Sequence, residues 1–206
     1  MTVRATPPRA ALILGATAVS GVAGYVVTWL VAAAVEPAEY TWFATTWSVL
    51  FLAVGALAGV QQEVTRASGP HPVGSGAALA PFVLVVAVVS TVILGATVPL
   101  WAGLVGGDAT VVVALVTGCA AYCIVAGTSG ALYGARAWSA IAALIAVDGV
   151  LRLGLVAVAL LSGGPSTRFL IACAIVAPFP LALLVVLPFA RRLLRGIRAD
   201  VPFGRL

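Results

Sequence analysis

The sequence predicts an all-α, polytopic membrane protein with six transmembrane helices in one bundle. Three observations carry that reading. Hydrophobic residues make up 63% of the 206 residues and charged residues only 8%, with mean hydropathy +1.19, whereas a soluble domain carries about 25% charged residues. The apolar residues fall into six runs, each holding the ~20 residues needed to cross a ~30 Å hydrocarbon core. The arginines, finally, collect in alternate connecting segments, the pattern that sets sidedness. A water-soluble globule is excluded.

Taken in order, residues 1–9 form a short leader with Arg4 and Arg9, ending after Pro7 and Pro8. The first apolar run, Ala10–Val35, is too long for the 7–15-residue core of a signal peptide, so it reads as an uncleaved span. Glu36-Pro37-Ala38-Glu39 breaks it, and the second span runs from Tyr40 to about Val64, with Tyr40, Trp42, Phe43 and Trp47 as an expected interfacial belt. Arg66 to Gly76, containing Pro70, His71 and Pro72, is a loop. Four more spans follow at Ala77–Val105, Ala109–Tyr133, Ala137–Leu161 and Phe169–Ala190. The bundle thus covers 10–190, and 191–206 is an arginine-rich tail.

With the N-terminus inside, nine of the eleven basic residues fall on the cytoplasmic side, while Arg168 alone lies outside and Arg152 sits within a span. Glu36, Glu39 and Asp108 fall outside. Both termini are therefore expected in the cytoplasm of a cell whose inner membrane holds the chain. All eleven basic residues are arginine, which reads as the codon usage of a GC-rich bacterial genome. The net charge of +5 is concentrated in the tail, so it points to lipid headgroups and not to nucleic acid. Cys119, Cys123 and Cys173 lack the spacing of a metal or disulfide framework and read as small apolar packers.

Within these apolar walls, Asp148 and Arg152 stand one helical turn apart near the middle of the fifth span. A charge at that depth costs roughly 2.5–3.5 kcal/mol. The i, i+4 spacing, acid first, lets the two pair. Polarity also gathers at the inner end of span two, in Gln61-Gln62-Glu63-Val64-Thr65-Arg66, where Gln62 and Glu63 both fall within a turn of Arg66. An interfacial helix end with a snorkelling arginine explains this as well as a binding face does. Pro178 and Pro180 should kink or break span six, either as a bend that fits the bundle or as a discontinuous helix lining a cavity. Gly55/Gly59, Gly130/Gly134 and the stripe Ala16, Ser20, Gly24 are expected helix–helix contacts.

These residues carry a resemblance. A first span closing on Glu36-Pro37-Ala38-Glu39-Tyr40, then an aromatic-rich span ending Gly59-Val60-Gln61-Gln62-Glu63 with Arg66, resembles bacterial polysaccharide biosynthesis proteins. These are Wzx-type flippases of the multidrug/oligosaccharidyl-lipid/polysaccharide exporter superfamily. Asp148-Gly149-Val150-Leu151-Arg152-Leu153 is similar to their acidic-x-x-Leu-Arg-Leu stretch, while Thr41 departs from the glycine usual there. Such flippases have two six-helix lobes, and this chain would supply the N-terminal one, as a truncated or split half or as a half-transporter that pairs. The resemblance implies a half-length lobe that flips or exports a lipid-linked, anionic glycan (a polyprenyl-diphosphate sugar), pairing with a copy of itself or with a separate second half. It places substrate contacts at Arg152, Asp148, Arg66, Gln62 and Glu63.

No cofactor is expected, because no nucleotide-binding loop is present. An enzyme is the least supported class: the spans contain no histidine and one mid-depth carboxylate. The rival reading is a non-transporting scaffold in a cell-envelope glycan assembly complex. A deep polar cavity leading to Arg152 would separate the two.

Overall fold

The computed structural model describes residues 8–68, 79–164 and 167–194. The expected leader and arginine-rich tail fall largely outside the described residues, as does the loop with His71. Every described element is a helix: α1 (Pro8–Ala34), α2 (Pro37–Ala67), α3 (Leu79–Ala96), α4 (Val98–Trp101) running into a 3-10 turn (Ala102–Val105), α5 (Ala109–Gly134), α6 (Trp138–Ser162), α7 (Thr167–Val176) and α8 (Pro178–Leu194). Five helices are long and apolar enough to cross a membrane, with α7 and most of α8 forming one of them; α3 and the bent α4 segment make a sixth when taken together as one span. The protein is an all-α, membrane-embedded bundle.

The third span is not the uninterrupted run expected at Ala77–Val105. It bends by 57° between α3 and α4. Pro99 has no N–H to give the carbonyl one turn back, and the Thr97 hydroxyl turns to the Ile93 carbonyl at 2.8 Å. Several other hydroxyls in the spans bond back to the preceding turn, as Thr28 does to Gly24 (2.7 Å) and Thr91 to Ala87 (2.7 Å). That satisfies them where no water is at hand, whereas the buried Thr46 hydroxyl has no partner among the described residues.

Packing follows the small residues. α1 lies along α6, α2 and α3 lie along α5, and α7 and α8 each wedge between α5 and α6. At Gly130 an added Cβ would stand 2.6 Å from the Gln61 carbonyl of α2, and Gly134 presses on the Ser68 backbone. Gly149 of α6 meets Ser20 of α1, where a Cβ would lie 2.7 Å from the Ser20 Cα. The second GxxxG motif is different. Gly55 and Gly59 have nothing within reach, so that face of α2 is unused inside the bundle. The expected stripe on α1 is used at Ala16 and Ser20 but not at Gly24.

The aromatic belt expected at the head of α2 is also corrected. Trp42 and Phe43 are buried, because this face of α2 turns into the core beside Val105, Val111 and Ile175. Trp47 is half-buried and faces a charge.

At the turn before α5, Asp108 caps the helix: its carboxylate accepts from the Thr110 N–H (2.8 Å) and hydroxyl (2.7 Å). The Thr110 hydroxyl bond, joined by its backbone N–H, holds the Asp108 carboxyl below the usual carboxylate range. A lowered folded-state pKa means the carboxylate stabilises fully above the unfolded value and stops doing so as pH falls below about 4. Asp108→Ala should therefore lower the melting temperature at pH 7 and shrink the further drop between pH 7 and pH 3. Melting curves of the purified protein at both pH values check this; an unchanged drop would remove Asp108 from the acid response.

Candidate functional site

Asp148 and Arg152 do come together in mid-span. One guanidinium nitrogen of Arg152 forks onto both Asp148 carboxylate oxygens, at 2.9 and 2.8 Å. The arginine side chain is 5% exposed and the aspartate 24%. A second guanidinium nitrogen donates to the Ile175 carbonyl at 2.8 Å. Three rings close around the cation: Phe179 at 4.8 Å, Phe51 at 5.5 Å and Trp47 at 5.9 Å from its central carbon to the ring centroids. Cation–π contacts gain strength when desolvated.

The Ile175 carbonyl is free for a reason. Pro178 and Pro180 have no N–H for the Ala174 and Val176 carbonyls, helical geometry stops at Ala177, and across that break the Phe179 N–H makes no backbone bond to Ile175. The backbone bonds carried by Ala177 run from its N–H to Cys173 (2.8 Å) and from the Leu181 N–H to its own carbonyl (3.2 Å). Arg152 supplies the donor that Ile175 lacks. The proline break and the charge pair, read separately in the sequence, are one structure: a cation on α6 caps a gap in the last span and is walled in by α2 and α8. A buried carbonyl without a donor would cost about 1–3 kcal/mol.

The remaining expected site residues lie elsewhere. Arg66 pairs with Glu63 through Nε at 3.0 Å and through a second nitrogen. Gln62 is exposed. A hollow of about 410 Å³, open to the outside, is lined by Gln61, Gln62, Thr65, Arg66 and Tyr133. Eleven residues of α2 separate Gln62 from Phe51, or about 16 Å along the helix. The five residues therefore form two sites and not one. Sequence reasoning missed the cage. Trp47 and Phe51 are spaced i, i+4 on one face of α2, a signal that was present, but nothing local ties them to a charge a hundred residues away.

The class this architecture defines is a polytopic helical membrane bundle built around a buried, self-neutralised Asp–Arg pair. Among the curated proteins it is similar to are proteins of mycobacteria. The chain is 31% identical over 190 residues to the uncharacterized protein Rv1510 of Mycobacterium tuberculosis, covering 85% of this chain and 42% of that one. It is 31% identical over 170 residues to the uncharacterized protein Mb3654 of Mycobacterium bovis, covering 75% and 38%. The matched segment is thus about two fifths of each relative. No protein-family model matches the chain, and no solved structure matches it.

Proposed function

We propose that the chain is one six-span lobe of a transporter that moves a lipid-linked, anionic glycan across the cytoplasmic membrane, with both termini on the cytoplasmic side. The observation that carries this reading is the last span, interrupted in mid-membrane at Ala177 and held there by a buried arginine. Discontinuous helices at the midplane are a device of transporters, and the Wzx-type resemblance of the sequence points the same way. The matched relatives are about twice as long as the chain, which leaves room in them for a second lobe of similar size.

On this reading Arg152 holds the break and does not grip cargo in the conformation described, because two of its nitrogens are bonded to Asp148 and Ile175 and its side chain is enclosed by three rings. The polar end of α2, with Gln62 and Arg66, is the better place for a phosphate-bearing headgroup to meet the lobe, since guanidinium offers a planar fork to phosphate oxygens. The enclosure of Arg152 also favours a second reading, a scaffold that transports nothing.

Depletion of the protein in its native cell separates them. A transport lobe should leave lipid-linked glycan precursor on the cytoplasmic leaflet, rising several-fold, while surface glycan falls. Unchanged precursor sidedness together with loss of a glycan-synthesising complex would establish the scaffold instead.

A further inference from the structure

The end of the bundle opposite the Glu63–Arg66 pair is tied together by one side chain. Arg168, in the first turn of α7, donates from Nε to Glu39 of α2 at 2.8 Å and from a second nitrogen to the other carboxylate oxygen. Its guanidinium carbon lies 5.5 Å from the centroid of the Trp42 ring. Trp42 in turn donates from its indole N–H to the Val105 carbonyl at 2.8 Å, which fixes the turn after α4. Gly106 follows with φ +86°, and a Cβ there would meet the Trp42 ring at 3.3 Å and an Arg168 nitrogen at 3.7 Å. The described turn residues at this end, Val35–Glu36, 106–108 and 163–164, are thus flanked by residues of one knot.

Charge makes the knot reversible. Among the described residues at this end Arg168 is the one cation, set against Glu36, Glu39 and Asp108. The pair is exposed, 45% for Arg168 and 40% for Glu39, so salt screens it and its strength is modest. Behind it lies a hollow of about 280 Å³ whose lining includes Val31 of α1, Val35 just after it and Ile171 of α7. Val31 and Ile171 are buried.

We propose that Arg168 is an electrostatic clasp that keeps α1, α2 and α7 together at this end, and whose release opens the hollow behind Glu39 to water. The clasp stands independently of what, if anything, the bundle transports. Removing Arg168 would leave Glu39 and Asp108, both within electrostatic reach of its guanidinium, as like charges with no cation between them, so opening follows from repulsion as well as from a lost bond.

A cysteine at Ile171 reports opening. In protein with Cys119, Cys123 and Cys173 replaced by alanine, purified into nanodiscs of neutral lipid, Ile171→Cys should react slowly with a sulfonated, membrane-impermeant maleimide. Adding Arg168→Gln should raise that rate about fivefold, the scale of one exposed ion pair. Glu39→Gln, which keeps the cation over Trp42, should raise it by a smaller factor. Raising salt from about 0.05 to 0.5 M should speed the parent but not Arg168→Gln. A cysteine at Val156, buried in the core, separates local opening from unfolding. Equal rates with and without Arg168, a parent indifferent to salt, or a Val156→Cys rate that rises in step with Ile171→Cys would each overturn the clasp.

Discussion

Arg152→Leu is expected to remove most of the protein from the membrane. The change leaves Asp148 charged in the spans and the Ile175 carbonyl without its donor, and breaking a buried ion pair from one side costs about 3–5 kcal/mol. Arg152→Lys should be nearly as damaging. An ammonium could reach the carboxylate or the carbonyl, but it lacks the planar group that bridges both and lies among three rings. The double change Asp148→Ala with Arg152→Leu should be the mildest of the three. It removes both charges and gives Trp47, Phe51 and Phe179 an apolar partner, leaving the bare carbonyl as the main residual defect. Membrane abundance and melting temperature of the three variants check this order. If the double variant is no better than Arg152→Leu, the pair is not what stabilises the break.

The second large effect lies in the two GxxxG motifs, which should answer oppositely to the same substitution. Gly130→Val places branched carbons where the Gln61 carbonyl and the Val64 side chain already stand, and Gly134→Val does so at the Ser68 backbone. Backbone cannot move aside as a flexible side chain can, so each should cost at least the ~1–3 kcal/mol of an overpacked core. Together they should separate α2 from α5, which also releases the Thr65 hydroxyl from the Gly130 carbonyl (3.3 Å). Gly55→Val and Gly59→Val meet open space and should leave the melting temperature of the isolated chain unchanged or slightly raised, since valine has the better helix propensity. Thermal melts of the four single variants in detergent decide the matter. A fold that falls apart on Gly59→Val would mean that this face is packed after all.

Sequence alone determined the class, the number of spans to within one, and the existence of the charge pair. The reasons are local. Hydropathy reports on the solvent around a helix, and an i, i+4 acid and base must meet on a helix whatever surrounds them. Asp148 and Arg152 were legible for that reason, and so was the interruption at Pro178, since a missing N–H is a covalent fact.

Tertiary structure decided what those features were for. The two GxxxG motifs are alike in sequence and opposite in burial, because a small face records only that a helix could approach closely, not which helix does. The aromatic run of α2 looked interfacial, yet Trp42, Phe43 and Trp47 went to a carbonyl, to the core and to a cation, respectively, because α2 presents that face to α5 and α7. The bend at Pro99 was hidden inside a long apolar run, since hydropathy is blind to direction. Most of all, the donor for Ile175 comes from Arg152, twenty-three residues earlier in the chain. Only packing α6 against α7 brings a spare cation to a spare carbonyl, and only that meeting accounts for a buried arginine in the middle of a membrane span.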